Sequence, residues 1–180
     1  MTPLNTDDKF PTSVVLKYIP YSNKNKDITA CANPIDYDLS KELPNRKVVI
    51  TSAIGAFTRP CTEEHIPTYL KHINDFKKKG IDQIVILTSN DAFVNSAWGK
   101  ALGYRDEDNY VIFASDPNAQ LSAALGDNFV ADMSSLGIGL GIRTNRYAAI
   151  VVDGQVQYLE SEEGGEFTDR TDALSLLERL

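Results

Sequence analysis

The chain has 180 residues, 42% of them hydrophobic, which suits a single α/β domain, 1–180, whose core needs no metal or disulfide staple. A formal net charge of -7 disfavours nucleic acid and anionic membrane as partners, because both surfaces repel an acidic protein. The only cysteines are Cys31 and Cys61, too few for a secreted disulfide scaffold and without the paired spacing of a structural zinc site.

Met1 to Asp8 has neither a basic start nor an apolar stretch, and no later run is long enough to span a bilayer. A soluble intracellular protein is therefore expected. The end, Glu178-Arg179-Leu180, only partly resembles the Ser-Lys-Leu peroxisomal address, so cytoplasm is the expectation and peroxisome or mitochondrion the alternative.

Val14 to Ile19 is an apolar run of strand length, followed by turn residues from Pro20 to Asp27 and by Cys31 in a loop. Lys47 to Ser52 carries Val48, Val49 and Ile50, the pattern of a strand covered on both faces. From Thr62 to Lys79, Ile66, Tyr69, Leu70, Ile73 and Phe76 recur in steps of three and four, which predicts an amphipathic helix stopped by Gly80. The basic run Lys77 to Lys79 then falls at that helix's end, where cations complement the dipole. Gln83 to Thr88 predicts a second buried strand, and Ser89-Asn90-Asp91 predicts the cap of a helix running to about Leu102.

Tyr110 to Ala114 reads as a third strand. Asp116-Pro117 starts a short helix that Gly126 ends, and the glycine-rich stretch from Asn128 to Asn145 reads as a long loop. Tyr147 to Val152 and Gln155 to Leu159 flank Asp153-Gly154, whose tolerance of positive φ suits a hairpin turn. A last helix spans roughly Asp172 to Arg179. Two βα units leading to a hairpin and a terminal helix predict a mixed sheet with helices on both faces, the order of a thioredoxin-like fold.

The segment from Ile54 to Cys61 joins a buried strand to a helix and sets Cys61 in that helix's first turn. Unpaired N–H groups and the helix dipole there favour an anion, lowering a thiol pKa from about 8.5 and raising the thiolate fraction. Thr58 can place a hydroxyl near the sulfur. The competing reading is a passive buried cysteine after a proline, which shares this geometry.

Gly55-Ala56-Phe57-Thr58, then Cys61, then His65-Ile66-Pro67, is similar to the peroxidatic-cysteine motif of peroxiredoxins, in the branch of mammalian peroxiredoxin five and fungal alkyl hydroperoxide reductases. Asn90-Asp91-Ala92-Phe93-Val94 with Trp98-Gly99, Ser115-Asp116-Pro117, and Asn145-Arg146-Tyr147-Ala148 resemble the same branch in the same order. The resemblance implies a thioredoxin-like fold and thiol-dependent reduction of hydrogen peroxide and alkyl hydroperoxides. It assigns Cys61 as the peroxidatic cysteine, Thr58 as its hydrogen-bonding threonine and Arg146 as the active-site arginine. It further implies that Cys31, in Thr29-Ala30-Cys31 with Pro34, resolves the oxidised cysteine between two subunits of a homodimer, with thioredoxin as electron donor and no cofactor or metal.

Several alternatives bear on these assignments. Arg143 competes with Arg146 on sequence grounds. His65 and His72 share a helical face with Cys61, but a zinc site there would lack a fourth ligand and would silence the thiolate. His65 reads as a structural side chain, Trp98 and Phe93 as packing residues, and Glu162, Glu163 and Glu166 as solvated surface. The family pattern usually has prolines where Ile54 and Arg59 stand. Here Pro60 precedes the cysteine instead, and it lacks the N–H that could donate to bound peroxide. An inward-pointing Arg59 would offset that loss. A thioredoxin-type oxidoreductase would need a second cysteine two residues from Cys61, whereas a redox sensor or relay, or a chaperone, would need only slow oxidation of Cys61.

Overall fold

The computed structural model describes residues 4–180, so the very start of the Met1 to Asp8 segment lies outside the described residues. In chain order the strands and α-helices are β1 Val15–Tyr18, β2 Ile35–Asp38, α1 Leu39–Glu42, β3 Lys47–Ser52, α2 Ile66–Lys71, α3 Ile73–Lys78, β4 Gln83–Thr88, α4 Ala92–Ala101, β5 Val111–Ser115, α5 Gln120–Leu125, β6 Val130–Asp132, β7 Ile142–Thr144, β8 Tyr147–Val152, β9 Gln155–Ser161 and α6 Ala173–Glu178. Seven strands form one sheet in the order β2-β1-β5-β4-β3-β8-β9. The central β5-β4-β3 ladder is parallel, and β8 joins β3 antiparallel.

Alternation along the central strands explains the two-sided packing. Val49 on β3, Ile84 and Ile86 on β4, and Val111 and Phe113 on β5 point to one core with Ile66, Tyr69, Phe76, Trp98 and Leu176 of the helices. Val48, Ile50, Val85, Leu87, Ile112 and Ala114 point the other way, onto Leu39, Leu121 and Leu125. Burying each such aliphatic side chain contributes roughly 2 kcal/mol. This is the mixed α/β sheet with helices on both faces that the sequence predicts.

Four expectations need correction. The helix expected from Thr62 to Lys79 is three pieces: a π-helical turn over Cys61–His65, then α2, then α3, broken at His72. Hydrophobic periodicity survives that break because the same face stays on the sheet, so spacing alone does not reveal it. The stretch read as a loop from Asn128 to Asn145 contains the two-stranded ribbon β6-β7, pairing Val130 with Thr144 and Asp132 with Ile142. β2 was not expected at all. It is an edge strand with two exposed residues, recruited by antiparallel pairing to β1 rather than by its own pattern. Finally, Phe93 is 48% exposed, whereas Trp98 on the same helix is fully buried.

The turns and caps follow local chemistry. Asp91 caps α4 by accepting from Val94 N at 2.9 Å, and Asp116, buried, accepts from Leu121 N at 2.9 Å and Ser122 N at 3.0 Å at the start of α5. Asp153 and Gly154 both take positive φ in the β8-β9 hairpin. No helix among the described residues is long and apolar enough to cross a membrane.

Candidate active site

β3 and β4 end on the same side of the sheet, and the loop after β3 carries the cysteine. Ala53 N donates to Leu87 O at 2.8 Å, which ties the start of this loop to the end of β4. Ala56 N donates to Asn90 Oδ1 at 2.9 Å. A Cβ on Gly55 would lie 3.1 Å from Thr58 Cγ2 and 3.2 Å from Arg143 Nη1, so any larger residue would push these two side chains aside by a few tenths of an ångström. Phe57, next in the turn, sits at φ 60° with its ring exposed.

Cys61 is fully buried at the start of the π-helical turn. Its carbonyl accepts from Ile66 N, the wider spacing of a π turn. Arg146, also fully buried, leaves the β7-β8 junction and places Nη1 3.3 Å from Cys61 Sγ. The same Nη1 lies 2.9 Å from His65 Nδ1. Since a guanidinium only donates, His65 Nδ1 accepts, and the ring proton is on Nε2, which donates to Thr51 Oγ1 at 2.8 Å. Burial and the neighbouring Arg146 charge both hold His65 well below its ordinary value, so the ring is neutral.

The rest of the guanidinium is held by the loop after β9. Arg146 Nε donates to Glu166 O at 2.8 Å and Nη2 to Gly165 O at 3.3 Å. The Phe167 ring lies 5.3 Å from the His65 ring and 5.9 Å from the guanidinium carbon. Glu162 anchors this loop by accepting from Thr168 N, Thr168 Oγ1 and Thr171 Oγ1 at 2.7 to 2.8 Å. It is 3% exposed, so the expectation of a solvated Glu162 is corrected. Its carboxylate finds enough donors inside the loop to be buried.

No carboxylate pairs with Arg146 among the described residues; its partners are two carbonyls, an imidazole nitrogen and the Cys61 sulfur. A buried cation needs a counter-charge, and the thiol is the one group of the four that can ionise to an anion. For Cys61, burial opposes ionisation, but the Arg146 charge, the Thr58 hydroxyl, a Gly55 backbone contact and the Arg146 hydrogen bond outweigh it, so the thiol titrates below its ordinary value. Thr58 Oγ1 currently donates to Gly55 O at 2.7 Å and can rotate toward an oxygen bound at the sulfur.

The structure thus brings Cys61, Thr58 and Arg146 together and adds His65, which the sequence reading left as structural. It leaves Cys31 apart: both cysteines are free thiols, Cys31 exposed and Cys61 buried. Arg143 does not reach the sulfur. Its Nε donates to Leu140 O at 2.7 Å, and Nη1 contacts Asn90 Oδ1 at 3.3 Å. Arg59 points outward, its side chain 84% exposed and paired with Glu63 at 2.9 Å, so the condition under which it would offset the missing Pro60 donor is not met. His72 pairs with Asp75 at the helix break. Thr51, at the end of β3, and Asn90, in the motif before α4, also serve the site, whereas Glu162 and Phe167 come from the loop after β9 and carried no sequence signal.

A buried thiol at a helix start, faced by a guanidinium and a hydroxyl on a thioredoxin-like sheet, defines the class of thiol-dependent redox proteins. The Redoxin family pattern matches residues 5–177, and the chain belongs to that family as a peroxiredoxin, a thiol peroxidase. It is 43% identical over 167 residues, covering 93% of this chain and 96% of the other, to a Lipomyces kononenkoae protein described as a peroxisomal peroxiredoxin. It is 37% identical to peroxiredoxin Pen c 3 of Penicillium citrinum, over 98% of this chain and 99% of that protein. Its fold matches reduced Prx3 of Vibrio vulnificus, solved in complex with hydrogen peroxide, with a TM-score of 0.79 and 27% identity over 97% of this chain and 98% of that one.

Proposed function

We propose that Cys61 is the peroxidatic cysteine, with Thr58 and Arg146 as the groups that align the peroxide, and that the substrates are hydrogen peroxide and alkyl hydroperoxides. The observation that carries this reading is the single Arg146 nitrogen shared between Cys61 Sγ at 3.3 Å and neutral His65 at 2.9 Å. It holds a cation on the sulfur while leaving donor capacity for an incoming oxygen. The thiolate attacks one peroxide oxygen and the O–O bond breaks. The leaving oxygen, stabilised by Arg146, departs as water or an alcohol after taking a proton, and Cys61 becomes a sulfenic acid.

Cys31 then resolves that sulfenic acid in a disulfide with Cys61, between the two chains of a homodimer, and thioredoxin returns both thiols by exchange. Because Cys61 is fully buried and Cys31 exposed, the turn carrying Cys61 opens for the two sulfurs to meet. The name of the Lipomyces relative supports peroxisomes as an alternative to the cytoplasm.

Peroxide consumption with a thioredoxin system, compared for wild type, Cys61→Ser and Cys31→Ser, tests this cycle, with each oxidised product run on a non-reducing gel. Turnover lost in Cys61→Ser, and a dimer-sized band that requires Cys31, are expected. Turnover that survives Cys61→Ser overturns the site. A wild type oxidised once without turnover favours the sensor reading instead.

A further inference from the structure

Helix α4 reaches both cysteine-bearing segments. Trp98 Nε1 donates to Thr62 Oγ1 at 3.1 Å, beside Cys61. Two residues on, Lys100 is only 4% exposed, and its Nζ donates to Asp27 O at 3.1 Å and to Ala30 O at 2.9 Å. Lysine is almost never this buried without a partner, yet Lys100 forms no ion pair among the described residues. Its charge is spent on two main-chain carbonyls. They belong to one turn, closed by Ala30 N on Asp27 O at 3.0 Å, that ends one residue before Cys31.

The first half of this segment is tied to the loop before β5 by Tyr21 N on Asn109 Oδ1 at 2.7 Å and Asn23 N on Glu107 Oε1 at 2.9 Å, neither of which reaches the Asp27 to Cys31 turn. Between β1 and β2 the chain forms one short 3-10 turn, Asn23–Asn25. Arg105 donates to Lys26 O at 2.8 Å and adds a second cation to the same run of carbonyls. Cys31 itself is exposed, and its Sγ contacts only Thr29 O at 3.7 Å. Burial lowers the Lys100 pKa from its ordinary value, an effect that Cys31 and Asp27 oppose and Arg105 reinforces.

We propose that Lys100 is the positioning residue of Cys31: its buried ammonium, bonded to the Asp27 and Ala30 carbonyls, fixes the turn that presents the thiol. The inference rests on the reading of Cys31 as the resolving cysteine. In that step the Cys31 sulfur forms the S–S bond as the Cys61 S–O bond breaks. The oxygen leaves with the bonding pair and takes the proton given up by Cys31, forming water.

Trp98 is the single tryptophan and touches the Cys61 segment, so its emission after rapid mixing with hydrogen peroxide reports oxidation, whose rate depends on peroxide, and resolution, whose rate does not. Wild type, Lys100→Met, Lys100→Arg and Cys31→Ser are compared, with non-reducing gels for the disulfide. Loss of a charged hydrogen-bonding group predicts that Lys100→Met slows the second phase about tenfold or more while the first phase changes by less than about twofold. Lys100→Arg, which keeps a cation, recovers most of the second phase, and Lys100→Met accumulates more sulfinic acid at Cys61.

A second phase in Lys100→Met equal to wild type overturns the proposal while leaving Cys31 as the resolving cysteine, provided that Cys31→Ser still abolishes the disulfide. A Lys100→Arg variant as slow as Lys100→Met also overturns the charge-based role. A Cys31→Ser variant that still forms the disulfide-sized band and the second phase overturns the resolving reading, and the proposal with it.

Discussion

Replacing Arg146 with methionine keeps most of the side-chain volume and removes the charge facing Cys61. The two groups are buried and 3.3 Å apart, where an ion pair is worth about 4 kcal/mol at an effective dielectric near 20. Loosened packing and entering water reduce the net loss to about 3 kcal/mol. Burial, the opposing influence, remains, so the thiol moves from below its ordinary value to above it. The thiolate exists above the pKa and disappears below it. At neutral pH its fraction therefore falls, partly offset by the greater nucleophilicity of a more basic thiolate.

Alkylation by iodoacetamide, which needs only the thiolate, should then slow at pH 7, and its pH profile should move to higher pH. Reaction with hydrogen peroxide should slow by roughly a further hundredfold beyond the alkylation loss, because Arg146 also donates to the departing oxygen, a contribution of about 3 kcal/mol in comparable oxyanion sites. Alkylation rates and thiolate absorbance across pH, beside rapid-mixing peroxide kinetics, measure the two effects separately. An unchanged thiol titration would refute the electrostatic account of Cys61. Equal losses in the two reactions would remove Arg146 from the O–O cleavage step.

The remaining predictions draw on other parts of the molecule. A Cβ at Gly99 would lie 2.7 Å from the Phe113 ring, so Gly99→Ala should destabilise by about 1 to 3 kcal/mol by overpacking, read as a lower urea midpoint with an unchanged slope. His65 is held below its ordinary value of 6.5. Its contribution to stability is complete above that value and declines as pH falls below it, where the unfolded chain binds a proton that the folded protein does not. His65→Asn should remove that acid-sensitive part, and urea titrations of both proteins at several pH values check it. Pro60→Ala restores an N–H next to Cys61, and the peroxide rate constant should rise; a rate constant that stays level or falls counts against Pro60 as the missing donor.

Much of the frame was legible because it is local. Val48 to Ile50 and Ile84 to Leu87 are continuous apolar runs that only a strand covered on both faces explains. Asp91 before α4 and Asp153-Gly154 in the hairpin are short-range chemistry that holds in the structure. The motif from Gly55 to His65 located the cysteine and its threonine. What stayed hidden depends on contacts between distant segments. β2 exists through pairing with β1, and the π turn at Cys61 is a local rewinding that keeps the apolar spacing intact.

The chain alone therefore determined the central strands and the hairpin, the family and the reactive cysteine, since alternation, caps and the motif around Cys61 are written within a few residues. Tertiary structure decided the state of that site. Glu162 looks like surface until three donors enclose it, and His65 becomes a neutral acceptor only when Arg146 and Thr51 close on its two nitrogens. Lys100 turns toward the Cys31 segment, 70 residues earlier in the chain. Charge, tautomer and thiol ionisation depend on burial and on partners remote in sequence, and no local pattern encodes either.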